Sequence, residues 1–164
     1  IQGWGLSQLY GGEVELPEKI EKINALAFGN ITKITVSSKN NYIKSVDDKM
    51  ILSKDGKILY AANKGANEFN IPDTVEIIEE QAFYMHGRIK NIKLPSSIKE
   101  IRTQAFAYSS LEKIELPEKI EKIEYNAFSS CSKLTNIIID KKKGSISGEP
   151  WDCPMGARAV TWLK

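Results

Sequence analysis

Apolar residues change their spacing twice within every 22 or 23 residues of this chain. In one such unit, Ile92-x-Leu94 alternates with period two, as a short strand buried on one face should, and Pro95 follows at once. Proline has no N–H and a fixed φ, so it ends strand pairing and begins a turn. Ile98, Ile101, Ala105 and Phe106 then fall three and four apart, which predicts a turn of helix or a loose coil returning toward the next strand. Leu111, Ile114 and Leu116 restart the cycle ahead of Pro117.

The same succession begins at Leu16-Pro17, Ile71-Pro72, Leu94-Pro95 and Leu116-Pro117, and each Pro precedes a Phe by eleven residues: Phe28, Phe83, Phe106 and Phe128. A period of this length predicts a solenoid of stacked units, each burying its flanks against its neighbours. The expected fold class is an α/β or mainly-β solenoid with short parallel strands. Its four phenylalanines are expected to stack as a single buried ladder.

Phe83 follows Phe28 by 55 positions, one period plus about 32 more, so something is inserted after Val36. Met50-Ile51-Leu52-Ser53 and Ile58-Leu59-Tyr60 flank Asp55-Gly56, a hairpin signal because Gly tolerates positive φ. Phe69 and Ile71 then re-enter the period. The insert, at about 37–68, reads as a modified repeat carrying a β-hairpin, so residues 1–164 are expected to be one domain. Its repeats span 17–139, after an N-terminal cap or cut end over 1–16 that carries Trp4, Leu6, Leu9 and Val14. At the other end Asp140 and the run Lys141 to Lys143 stand where a Pro would open another unit, and Trp151 and Trp162 supply rings for a C-terminal cap over 140–164.

The wording Ile-x-Leu-Pro-x-x-Ile-x-x-Ile-x-x-x-Ala-Phe resembles the BspA-like, or Treponema pallidum type, class of leucine-rich repeats over nearly the whole chain. Ala127-Phe128-Ser129-Ser130-Cys131-Ser132-Lys133-Leu134 is close to the family's Ala-Phe-x-x-Cys-x-x-Leu. Asn41 through Ile71-Pro72 resembles its hairpin-bearing unit, and Ile146 to Trp151 its closing segment. Leu26, before Ala27-Phe28, departs from the polar residue usual there, and Phe28 to Ile31 is short. The resemblance implies a cell-surface or secreted protein of a host-associated bacterium, with adhesion or protein recognition as its role and no shared catalytic residues.

In a leucine-rich repeat the strand residues between core positions point out from the concave sheet. Here they form two columns: Glu15, Thr35, Asn70, Lys93, Glu115 and Ile138, and, two residues earlier, Glu13, Lys33, Glu68, Asn91, Lys113 and Asn136. Mixed charge dominates both. They are the candidate protein-binding face, set against the plainer reading of a solvated surface whose opposite charges tolerate one another across strands. No aromatic stripe runs along these columns to favour a sugar or single-stranded nucleic acid.

Composition narrows the classes further. Among 164 residues, 23 Lys and Arg against 21 Asp and Glu give a net charge of +2, which makes no case for nucleic acid. No apolar run approaches the roughly 20 residues that cross a bilayer, so no direct membrane insertion is expected. A chain opening at Ile1 without Met is expected to be a processed product or excised fragment, with any export signal upstream.

Candidate chemistry is sparse. His86 is the single histidine, in the loop Tyr84-Met85-His86-Gly87 after Phe83, and is expected to be a surface loop residue. Cys131 and Cys153 are too few for a disulfide framework and lack metal-site spacing; Cys131 sits at the family's buried cysteine position, and a bond to Cys153 is one alternative to a free thiol there. Gly3-Trp4-Gly5 and Gly11-Gly12 lack the context of a phosphate loop, and Asp47-Asp48 lacks the remaining ligands of a calcium loop. No cofactor or catalytic set is expected, and the reading is a non-catalytic recognition module with a protein partner, or alternatively a structural spacer within a larger surface protein.

Overall fold

The computed structural model describes residues 12–28, 31–147 and 160–164. At the predicted strand sites Glu13–Leu16 (β1), Lys33–Val36 (β2), Asn91–Lys93 (β7), Lys113–Leu116 (β9) and Asn136–Ile139 (β11) are extended. They pair in parallel and in matching register, so Ile92, Ile114 and Ile137 align across three coils. β1 and β2 form a two-stranded sheet, while β7, β9 and β11 join Val160–Trp162 (β12) in a sheet of four.

The returning segments differ from the helical turn or loose coil their spacing predicts. They contain two-residue strands, Ile77–Ile78 (β6), Glu100–Ile101 (β8) and Lys122–Ile123 (β10), which pair in parallel as a second face of the solenoid. The three-and-four spacing arises because each strand runs into a left-handed corner: Gln81, Gln104 and Asn126 have φ of 60°, 55° and 57°. That corner turns the next Ala-Phe inward. Polar side chains tolerate it better than branched ones, and Gln81 Nε2 donates to Gln104 Oε1 at 3.0 Å from one coil to the next. Backbone bonds repeat the link, with Phe83 N–H to Ala105 O at 2.7 Å and Phe106 N–H to Ala127 O at 2.8 Å.

The insert holds the predicted hairpin, Met50–Ser53 (β4) and Ile58–Ala62 (β5), with Gly56 at φ 81° in its turn. A further strand, Ile43–Val46 (β3), pairs antiparallel to β4 through a turn in which Asp47 and Asp48 both have φ of 54°. The six-stranded sheet β10-β8-β6-β5-β4-β3 therefore runs from the insert into the repeat face.

All four residues of β4 are buried, because core lies on both of its sides. Met50, Leu52, Leu59 and Ala62 face the larger cluster with Phe83, Phe106 and Phe128. Ile51 and Ala61 face a smaller one with Leu16, Phe28, Ile31 and Ile34. This corrects the single ladder. Phe83, Phe106 and Phe128 stack, with centroids 5.0 and 5.5 Å apart and planes within 9°, but Phe28 belongs to the smaller cluster. Phe69 closes the ladder edge-on to Phe83 at 5.3 Å. The expected contributions of Trp4, Leu6, Leu9, Trp151 and Cys153 fall outside the described residues.

Candidate recognition surface

The two columns do not run along one continuous sheet. Glu13, Glu15, Lys33 and Thr35 lie on β1 and β2, and Glu68 and Asn70 lie on a stretch outside any strand. Asn91, Lys93, Lys113, Glu115, Asn136 and Ile138 lie together on the four-stranded sheet. The period alone predicts an unbroken row; the hairpin segment interrupts it.

On the two-stranded patch, Lys33 is shared between Glu13 at 3.5 Å and Asp48 of the hairpin turn at 3.7 Å, and Thr35 Oγ1 donates to Val14 O at 3.3 Å. These groups are largely occupied with one another.

The four-stranded patch is less closed. Asn91, Lys93, Lys113 and Glu115 are exposed, with Ile92, Ile114 and Leu116 buried between them. Lys93 is the register partner of Glu115, yet the Glu115 carboxylate pairs along its own strand with Lys113 at 2.7 Å. Lys93 has no ion-pair partner among the described residues. A hollow of about 470 Å³ is lined by Asn91, Lys93, Lys113, Glu115 and Pro117, with the edges of the buried strand residues as its floor. On the neighbouring strand β11, Asn136 Oδ1, opposite Lys113 in register, is buried without a hydrogen-bond partner among the described residues.

The other face carries its charges as a satisfied ladder. Glu76 lies between Lys99 at 2.8 Å and Lys57 at 3.4 Å, and the Lys99 hydrogen bond holds its carboxyl below the usual range. Arg102 bonds Glu79 at 2.6 Å, which raises its pKa further. Burial pushes the Glu124 carboxyl up, but hydrogen bonds from Lys122 and Thr103 outweigh it and leave it lowered. Lys122 and Glu124 share one coil, but the bonds of Glu76 to Lys99, Glu79 to Arg102 and Glu124 to Thr103 join one coil to the next, so these charges serve the stack.

His86 is not the surface residue its loop position predicts. Its side chain is wholly buried, at the same place in its repeat as Ser109 and Cys131, which are buried too. Nε2 lies 3.0 Å from Asn63 O, Nδ1 accepts from Ile89 N–H at 3.2 Å, and burial lowers the imidazole pKa. Matching Ala82-Phe83-x-x-His86 to Ala127-Phe128-x-x-Cys131 would have revealed it. Cys131 Sγ lies 2.9 Å from Phe106 O and 3.4 Å from Ser109 Oγ. Aromatic surface appears where the strand columns gave no signal, on the turns after the core phenylalanines: Tyr108 is 52% exposed and packs edge-on to Tyr84 at 5.5 Å. Among the described residues no three His, Cys, Asp or Glu side chains are placed to hold a metal, and no helix is long and apolar enough to cross a membrane.

Stacked coils that repeat a strand, a left-handed turn and an Ala-Phe core pair define a leucine-rich repeat protein. The BspA type leucine rich repeat region matches residues 9–52 and 57–150 in six copies, and the chain belongs to that family. Among solved structures, a leucine-rich repeat protein from Eubacterium ventriosum is 23% identical over 79% of this chain and 36% of its own, with a TM-score of 0.70. The pneumococcal vaccine antigen PcpA is 20% identical over 80% of this chain and 39% of its own, at 0.67. A leucine rich cell surface protein from Faecalibacterium prausnitzii is 20% identical over 93% of this chain and 48% of its own, at 0.58. At these identities the likeness is one of fold, and the chain spans less than half the length of each. No curated protein matches the sequence.

Proposed function

We propose that this chain is a non-catalytic protein-recognition module of a bacterial cell-surface or secreted protein, acting in adhesion or partner binding through the four-stranded sheet. The observation that carries the reading is the polar row Asn91, Lys93, Lys113 and Glu115 around an open hollow, with the Lys93 ammonium unspent. An unpaired surface cation beside concave relief suits a carboxylate on a protein partner, where complementarity sets specificity. The family and the surface or antigen descriptions of two structural neighbours support the location.

The test is binding of the purified chain to a panel of extracellular-matrix and bacterial-surface proteins, beside a variant carrying Lys93→Glu, Lys113→Glu and Glu115→Lys. The expected result is saturable binding weakened at least about tenfold, roughly 1.4 kcal/mol, in the variant. Equal affinity of the two proteins would remove this face from the proposal.

A second reading, a structural spacer within a larger surface protein, is favoured by the coverage of 36% to 48% of the neighbours' own lengths. It predicts a gene extending well beyond residues 1–164 and no binding by the isolated chain. A gene encoding only this domain and a signal peptide would contradict it.

A further inference from the structure

His86 lies where the hairpin-bearing segment meets the stacked repeats, with its ring 5.4 Å from Phe69 and 6.0 Å from Phe83. Both ring nitrogens are engaged. The Asn63 carbonyl can only accept, so Nε2 carries the proton, and Nδ1 must be bare to accept the Ile89 N–H. Asn63 is itself a buried hub: its side-chain amide donates to Thr32 O, its Oδ1 accepts from Gly65 N–H at 2.7 Å, and its own N–H reaches Lys49 O at 2.7 Å. One run of hydrogen bonds thus crosses from Thr32, beside the smaller core, through Asn63 to His86 and Ile89 in the larger.

We propose that His86 is an acid-sensitive latch joining the two halves of the solenoid. A proton on Nδ1 turns an acceptor into a donor and sets it against the Ile89 N–H, so the ring can keep one of its two contacts but not both. The turn over 86–89 must then open, or the ring must leave its pocket. The charged groups acting on the ring are Lys64, from the segment after β5, and Arg88, from its own turn; both are cations, and neither offsets an imidazolium. Burial acts in the same direction, keeping the ring neutral to more acid pH than the usual 6.5. Ser109 and Cys131, at the same place in the next two repeats, gain no charge in acid.

Because the chain holds one histidine, its imidazole resonances can be assigned without mutagenesis. The test follows them together with hydrogen exchange of the Ile89 amide, corrected for intrinsic rate, between about pH 8 and about pH 5. The latch predicts a titration midpoint below about 6.5 and a fall of about tenfold or more in Ile89 protection over the same range, with β9 amides unchanged. In His86→Ser, which copies Ser109, Ile89 protection should lose this pH dependence. Wild-type protection independent of pH would overturn the proposal, as would the same pH dependence in His86→Ser. If that variant does not fold, the wild-type titration and exchange decide alone.

Discussion

The two cores flanking β4 use the same repeat wording, and they differ in what each coil has to stack against. In the larger core three consecutive coils share one register, so Phe83, Phe106 and Phe128 lie nearly parallel and each left-handed corner bonds the next. In the smaller core Phe28 has a hairpin on one side in place of a coil. Leu26 stands where Gln81, Gln104 and Asn126 turn the corner, and there the chain forms a short 3-10 turn over Ala25–Ala27, capped by Asn24 Oδ1 accepting from Leu26 N–H at 2.8 Å. A regular ladder therefore needs a tolerant residue at the corner and a neighbouring corner in register, and the Phe28 coil beside the hairpin has neither, although β1 and β2 pair in register.

The strongest way to break this comparison is to empty the two cores separately. Phe106→Ala removes a ring held between two others and should cost about 4 kcal/mol in urea unfolding, with Phe28→Ala nearer about 3 kcal/mol. Phe28→Ala should speed amide exchange in β1 and β2 and leave β9 and β11 unaltered. Loosening of all four strands would make the two cores a single cooperative unit.

Next in size is Asn40, a buried side chain that donates to Pro17 O and Ile20 O at 2.9 Å and accepts from Tyr42 and Ile43 N–H at 2.8 and 2.9 Å. Asn40→Ala strands these groups beside the smaller core and should cost about 2–3 kcal/mol by thermal or urea unfolding. A loss below about 0.5 kcal/mol would mean that water reaches them readily.

Two glycines beside the larger core isolate backbone effects, since a Cβ at either meets nothing within 4 Å among the described residues. Gly144 has φ of 79° and Gly87 does not lie in the left-handed region. Gly144→Ala should lower stability by about 1 kcal/mol, while Gly87→Ala should change it by less than about 0.5 kcal/mol. Paired thermal melts distinguish them.

The smallest effect belongs to the charge ladder. The Glu124 carboxyl is depressed in the fold, so its contribution is complete above the usual value of 4.5 and is lost as pH falls through the lowered one. Glu124→Gln should flatten the acid limb of the stability profile there and leave the neutral region within about 1 kcal/mol. An unchanged acid limb would remove the ladder from the account of the stack.

Alternation made the Leu-Pro strands readable, and Asp55-Gly56 made one hairpin readable, because each has a local chemical cause. β3 was hidden because its turn uses Asp47-Asp48 in a conformation that glycine usually marks. The second parallel face was hidden because two-residue strands carry no measurable alternation. His86 was misread because histidine counts as polar in a pattern search, although its place in the repeat is a core place. Period two predicts the exposure of Asn91, Lys93, Lys113 and Glu115, but not the half-burial of Asn136 and Ile138. The division of the candidate residues between two sheets was not readable, since it depends on how a hairpin inserts between coils.

The most direct measurement compares the two patches in one binding assay. Against any partner that the wild-type chain binds saturably, the account predicts that reversing Lys93, Lys113 and Glu115 weakens affinity about tenfold or more, while reversing Glu13 and Lys33 changes it less than about threefold. Loss confined to the Glu13 and Lys33 variant, with the four-stranded patch indifferent to reversal, would contradict it.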